Sequence, residues 1–428
     1  MNGIIISFIA LLAGSCFYLL SSQNQSPKKA IWSVYAILHA VTAALFFYKI
    51  VFTISHAGFW DFGCFYLYGK VSSLGENFYS PQNFHTVFNS LQLPAFLNSS
   101  NEAYAGFIRE CVNIGFPYPP PTILYFIPLG FLSFHTALIV WTLFISSFAF
   151  GCIYLIYSLF LKEYKLNGLM LVSILLFTLP QTRGTIFYTQ TNFILLFLLL
   201  LMKKYADKKW SGLFLAIAFF TKPYMLIFLL YFIIRKNWNS ILFFIIGSSA
   251  LSGLVLILFG VAPFRSYLFD NPAGRYPKEA FLEKINQSLH SILLRNHLIS
   301  FDNPKSFVYI SMALLLLTGI FLLYLLRMKL YNNIFSILLL IGLILYPGTL
   351  DHYGLLLLFI IVQFFDSKNS LNLRPVVSII TIGVFYLLIS YSLFATICCL
   401  AILVVYKSFK PGFDFNTLVL TRPDIIKQ

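Results

Sequence analysis

Long unbroken apolar runs recur from one end of this 428-residue chain to the other. Runs such as 194–202 and 310–326 are continuous, whereas the strands of a membrane barrel alternate polar with apolar residues, so the chain must build helices. Hydrophobic residues make up 59% of it and charged residues 10%, with a mean hydropathy of +0.83. A soluble domain carries roughly a quarter charged residues. The expected fold is therefore all-α, a polytopic transmembrane helical bundle. The formal net charge of +15 does not point to nucleic acid, because Lys and Arg lie in short clusters between apolar runs and form no single basic stripe. That pattern reports orientation in a membrane.

At about twenty apolar residues per crossing, helices are expected near 3–20, 30–54, 134–160, 167–180, 190–202, 239–260, 306–326, 333–347, 352–365, 375–389 and 391–406. The first twenty residues resemble a signal peptide but lack a basic start and a clear small-residue cleavage site, so they are read as a retained span. Residues 210–234 form either one span or two short helices meeting at Lys222-Pro223. Lys203, Lys204, Lys208 and Lys209 precede this region and Arg235 and Lys236 follow it, so both ends belong on the cytoplasmic side. Proline removes a helical hydrogen bond and restrains the residue before it, which favours two half-helices inside the bundle. Of the 11–13 membrane helices expected, thirteen segments place the amino terminus outside and a 407–428 tail inside. Lys28 and Lys29, Lys162 and Lys165, Arg327 and Lys329, and Lys368 and Arg374 then all face the cytoplasm. Within a single membrane domain, 55–133 and 261–305 become two large outer loops.

Almost every polar residue suited to chemistry falls on that outer face. None of the 14 acidic residues lies inside an expected span. Asp61, in Gly58-Phe59-Trp60-Asp61-Phe62, follows directly on a span end, where it is either a solvated helix-end residue or a carboxylate working at the membrane surface. Asp351-His352 forms an interrupted turn and is either a polar cap or part of a site. Lys222, at the tip of two half-helices, needs an anionic partner: a bound phosphate, or pairing with Asp61 or Asp351, or escape to the outer surface. Arg183 and Gln190 lie in another outer turn, one suited to gripping phosphate and the other to sugar hydroxyls. Beyond Asp61, Phe62, Phe65, Tyr66 and Tyr68 alternate with Gly63, Gly69 and Lys70, which suggests a short amphipathic helix in the interface. Phe116-Pro117-Tyr118-Pro119-Pro120-Pro121 is extended and leads into a short apolar run, 122–132, of re-entrant or interfacial type. Cys64 and Cys111 share the first outer loop and can pair in an oxidising compartment, while no Cys/His set has zinc spacing.

The order of these motifs resembles glycosyltransferase family 87, also described as DUF2029. Asp61-Phe62 with Tyr66, Gly69, Gly75 and Tyr79-Ser80-Pro81 is similar to the family's opening signature, and Tyr118-Pro119-Pro120 with Pro128-Leu129 to the next. Gln190-Thr191-Asn192 resembles its G-Q-x-N element, although Thr189 stands where glycine is usual. Gly212 through Lys222-Pro223 resembles its "G…K-x-x-P" helix, with the proline displaced toward the lysine, and Asp351-His352-Tyr353 its late turn. The resemblance covers about residues 55–365. It implies a GT-C type membrane enzyme that moves a hexose, mannose above all, from a polyprenyl-phosphate donor to a lipid or glycan acceptor on the extracytoplasmic face of the cell (inner) membrane.

In that reading Asp61 is the general base of an inverting displacement, and Lys222, Arg183 and His352 hold the donor phosphate. Tyr66, Tyr118, Gln190, Asn192 and Asp351 contact substrate. No cofactor and no divalent metal is implied, and no GxGxxG or Walker motif competes. The second reading is a protein that binds or moves a lipid-linked sugar, a transporter or flippase, without transferring it. Transporters place functional charges near the midplane and often show an internal repeat, whereas this chain gathers its charges at one face. Arg265, Asp270, Arg275, Tyr276, Lys278, Glu279 and His290 of the second outer loop match no motif.

Overall fold

The structure, a computed structural model, describes residues 3–21, 28–57, 60–91, 111–270, 282–300, 333–366 and 375–408, with scattered positions between 312 and 323. Among these every regular element is helical, apart from one extended bridge between Asn286 and Leu350. Four stretches are long and apolar enough to cross a membrane: Gly3–Ser21, Lys29–Ser55, Phe134–Thr178 and Trp238–Phe259. Six further apolar helices of 10–17 residues pack among them. The protein is an all-α polytopic helical membrane protein. The expected span at 306–326 falls largely outside the described residues. So do the tail beyond Ser408, residues 271–281 of the second outer loop, and the basic pairs Arg327 with Lys329 and Lys368 with Arg374.

The short helices exist because the chain is broken at defined points and each break is answered by a side chain. The helix Lys165–Thr178 ends before Pro180, which has no N–H to offer the Leu176 carbonyl. Thr182 Oγ1 donates to that carbonyl instead, and Lys49 Nζ reaches across from the second helix to the Phe177 carbonyl at 3.0 Å. The expected break at Lys222-Pro223 is present. The helix Trp210–Thr221 stops there, and a 3-10 turn, Pro223–Phe228, leads into Leu229–Ile234. The freed carbonyl of Phe220 accepts from Thr122 Oγ1. Thr122 belongs to the re-entrant stretch, which folds as a 3-10 turn, Pro120–Tyr125, followed by the single turn Ile127–Gly130.

The helix carrying Asp61, Trp60–Ser73, differs from its amphipathic expectation. Phe62, Phe65, Leu67, Tyr68 and Val71 are buried around its circumference. It does not lie on a surface but is packed inside the bundle. Close packing is possible because Gly69 meets the Phe126 carbonyl and Gly130 meets the Gly69 carbonyl, so a Cβ on either glycine would overlap backbone. Stacking of Phe65 on Phe126, with ring centres 4.7 Å apart, completes the contact.

Cys64 and Cys111 are joined in a disulfide with a Cα–Cα distance of 5.8 Å, within the usual range for a bridge. The bridge closes a sequence separation of 47 residues and ties the Asp61 helix to the strip that leads to Tyr118. Replacing both cysteines by serine is expected to lower the thermal unfolding midpoint, since a crosslink of that span restrains the unfolded chain by about 4 kcal/mol. Differential scanning fluorimetry of the purified variant, compared with wild type under the same lipid conditions, provides the check.

Candidate active site

Asp61 occupies the first turn of its helix, where unpaired backbone N–H groups favour a carboxylate. Its Oδ2 accepts a hydrogen bond from Gln190 Nε2. Gln190 is 5% exposed, and its own Oε1 is buried without a hydrogen-bond partner among the described residues. Burial pushes the Asp61 carboxyl up to about 6, while the Gln190 hydrogen bond and the nearby charge of Lys222 pull it down. A carboxyl so placed is ionised at neutral pH and still basic enough to take a proton.

Gln190 is aimed by a tight turn after the helix Pro180–Phe187. Its backbone N–H donates to the Thr185 carbonyl at 2.8 Å, and Thr189 adopts φ 53°. Left-handed backbone is costly for a β-branched residue. Thr189 is pinned there by Trp141, whose Nε1 donates to its carbonyl at 2.9 Å. The glycine usual at this position in the resembling motif thus has a conformational reason.

Lys222 has φ −149° and ψ 113°, the extended conformation imposed on a residue before proline. That swing takes its side chain out of helical register and into the bundle, where the residue is 5% exposed. The ammonium lies 5.0 Å from the ring centre of Tyr353 and 5.4 Å from that of Tyr118. Such ring faces attract a cation. Lys222 forms no ion pair among the described residues, although its charge and that of Asp61 act on each other. A small cleft opens beside Lys222, lined by Phe65, Tyr118, Tyr125, Gln190, Thr191 and Lys222.

His352 is 2% exposed and both ring nitrogens lack hydrogen-bond partners among the described residues. Its ring packs edge-on against Tyr353, with centres 4.9 Å apart, and faces Tyr188 at 6.0 Å. Asp351 points outward with a 55% exposed side chain, and its Oδ1 stands 3.8 Å from His352 Nδ1. Asn192 donates from Nδ2 to Thr185 Oγ1 at 3.2 Å and to the His352 carbonyl at 3.3 Å, so it ties two walls of the site together. Tyr66 donates to the Leu132 carbonyl at 3.1 Å and packs against Phe134. Arg183 is exposed on the Pro180–Phe187 helix, with Lys49 as its cationic neighbour. The structure therefore gathers Asp61, Gln190, Tyr118, Lys222, Asn192 and His352, and leaves Arg183 and Asp351 at the rim.

The residues completing the site carry little signal of their own in the sequence. Tyr353, the nearer ring under Lys222, is quoted there only as the end of a motif. Thr122 and Trp141, which hold the Lys222 break and the Gln190 turn, look like ordinary residues of apolar stretches. The proline after Lys222 was the available pointer, since a break in a buried helix requires a donor from elsewhere. Among the described residues no three His, Cys, Asp or Glu side chains gather in a metal-binding group.

A Gln190-held carboxylate and a buried cation, Lys222, thus meet within a membrane helical bundle. A family model described as glycosyltransferase family 87 matches residues 116–350, more than half of the chain, and the chain belongs to that family. It is a membrane glycosyltransferase. The matched stretch contains Tyr118, Arg183, Gln190, Asn192 and Lys222, begins after Asp61 and ends one residue before Asp351. No curated protein and no solved structure matches the chain.

Thr189→Gly is expected to keep the fold and to match or raise the thermal midpoint. Release of left-handed strain of about 1–2 kcal/mol then offsets the greater flexibility of glycine in the unfolded chain. A midpoint several degrees lower would show that the turn is not strained at this residue.

Proposed function

We propose that this protein transfers a hexose, mannose in the first instance, from a polyprenyl-phosphate donor to a hydroxyl of a lipid or glycan acceptor on the extracytoplasmic side of the cell membrane. The observation that carries the reading is the Asp61 carboxylate held by Gln190, together with the buried ammonium of Lys222, which lines one cleft with Gln190 and forms no ion pair among the described residues. A donor whose leaving group is a phosphate on a lipid tail can enter such a site laterally and supply the missing anion. The Cys64–Cys111 bridge supports an oxidising compartment for this face.

The reaction is a single displacement. The acceptor oxygen attacks the anomeric carbon as the bond from that carbon to the phosphate oxygen breaks, and the electron pair of the broken bond stays with the phosphate. Asp61 takes the proton of the acceptor hydroxyl, and the anomeric centre inverts. Lys222 stabilises the departing phosphate, an effect strengthened because water is excluded around it. His352, buried with free ring nitrogens, is placed to hydrogen-bond the same phosphate. Gln190 serves first to orient Asp61, and its free Oε1 accepts from a substrate hydroxyl. Tyr118 forms one wall of the cleft. Arg183, exposed beside Lys49, is assigned to the rim, where it meets phosphates before they enter. Chemistry on this reading needs no cofactor.

Asp61→Asn is expected to lower transfer by about 10²–10⁴-fold, the usual contribution of a general base, with the unfolding midpoint maintained. Transfer is measured from radiolabelled polyprenyl-phosphate mannose to a membrane-lipid extract, and retention within a fewfold of wild type would remove Asp61 from the base role.

The pH dependence has a defined sign. Asp61 works only when ionised, so kcat/KM falls as pH drops through about 6. Gln190→Leu removes an interaction that lowers the carboxyl, so this acid limb should move to higher pH. A limb that stays in place or moves down contradicts the assignment.

A further inference from the structure

The second outer loop has no place in the chemistry above, yet its described part is locked onto the turn that carries His352. Asn286 and Leu350 form the one extended bridge among the described residues. Around it, Gln287 N–H donates to the Thr349 carbonyl at 2.7 Å and Asp351 N–H to the Ile285 carbonyl at 2.9 Å. Asn286 Nδ2 and Ser288 Oγ both donate to the Pro347 carbonyl, each at 2.9 Å. Asn286 is 3% exposed, and its Oδ1 also accepts from Ser288 N–H at 3.2 Å, so one buried amide closes its own turn and grips the neighbouring one. Arg295 Nη1 braces the same stretch by donating to the carbonyls of Glu283 and Asn286 at 2.6 and 2.7 Å.

We propose that Asn286 is a positioning residue: through the Pro347 carbonyl and the Asp351 N–H its segment fixes the backbone from which His352 enters the site. The proposal rests on the reading that His352 contacts the donor phosphate. The physical need is specific. His352 has no side-chain hydrogen bond to hold its ring among the described residues, and Asn192 Nδ2 reaches its carbonyl at 3.3 Å. Its ring is therefore placed by packing against Tyr353 and Tyr188 and by the backbone that carries it. Pro347 cannot donate a backbone hydrogen bond and Gly348 is conformationally loose, so the 346–351 turn has few internal restraints. Thr349 supplies two, from N–H to the Tyr346 carbonyl at 3.1 Å and from Oγ1 to the Leu343 carbonyl at 2.7 Å. The Asn286 segment supplies four.

The test is a double-mutant cycle on the purified full-length protein in lipid, with farnesyl phosphate as the phosphate probe. Asn286→Asp keeps an oxygen for Ser288 N–H and removes the donor to Pro347, while Asn286→Ala removes both. Each Asn286 variant and His352→Ala is expected to weaken binding about tenfold, and the double variants no further than His352→Ala alone. The acid limb of transfer near pH 6, set by Asp61, is expected to stay in place in Asn286→Asp. Losses that multiply in the double variants, wild-type binding by the Asn286 variants, or a moved acid limb would each overturn the positioning role. If His352→Ala binds like wild type, the phosphate role of His352 fails and the positioning proposal with it. If His352→Ala is weakened and Asn286→Asp is not, the positioning proposal fails alone.

Discussion

Backbone carbonyls released by broken helices cannot be left bare inside a membrane bundle, and the site is a consequence of how they are answered. Each unsatisfied group in such surroundings costs several kcal/mol. At Pro180 the donors are Thr182 and Lys49, and at Lys222-Pro223 the donor is Thr122. These bonds connect segments far apart in sequence. The bond from Thr122 to Phe220 joins the re-entrant stretch, with Tyr118 just before it, to the break that presents Lys222. The two sides of the cleft are thus registered by the same interaction that makes the broken helix tolerable.

Charge placement follows from this framework. A fully buried lysine is expensive unless something favours its ammonium, and here two tyrosine rings do so without neutralising it. Asp61 is held in turn by an amide, not by a cation. Direct contact between the two would satisfy both and leave nothing for a substrate. Gln190 on one side and the aromatic pair on the other keep them apart, at the cost of the left-handed backbone at Thr189. Strain beside a functional group is a recurring arrangement when surrounding packing over-determines it, and Trp141 provides that packing.

Much of the helical architecture was legible in the sequence, because continuous apolar runs and proline breaks are local signals. The half-helix break at Lys222-Pro223 and the re-entrant stretch after Tyr118 could be placed for that reason. The amphipathic reading of the Asp61 helix misled, since glycines at 69 and 130 allow burial on every side and that depends on a partner distant in the chain. Within the site, Asp61, Lys222, Gln190 and His352 were visible as polar residues at the edges of apolar runs. Their grouping was not, because the contact of Gln190 with Asp61 spans 129 positions. Asn192 illustrates the same limit from the other side. Its amide suits a sugar, and only its bonds to Thr185 and the His352 carbonyl reveal that it fastens two elements together.

Among the described residues Lys222 has no ion pair, His352 no side-chain hydrogen bond and Gln190 Oε1 no donor, all within one buried region. On the proposed reading, the donor phosphate meets Lys222 and His352 while a substrate hydroxyl meets Gln190 Oε1. A transition state in which negative charge grows on the phosphate answers Lys222 better still, and that increment accelerates a reaction where equal binding of ground and transition states would not.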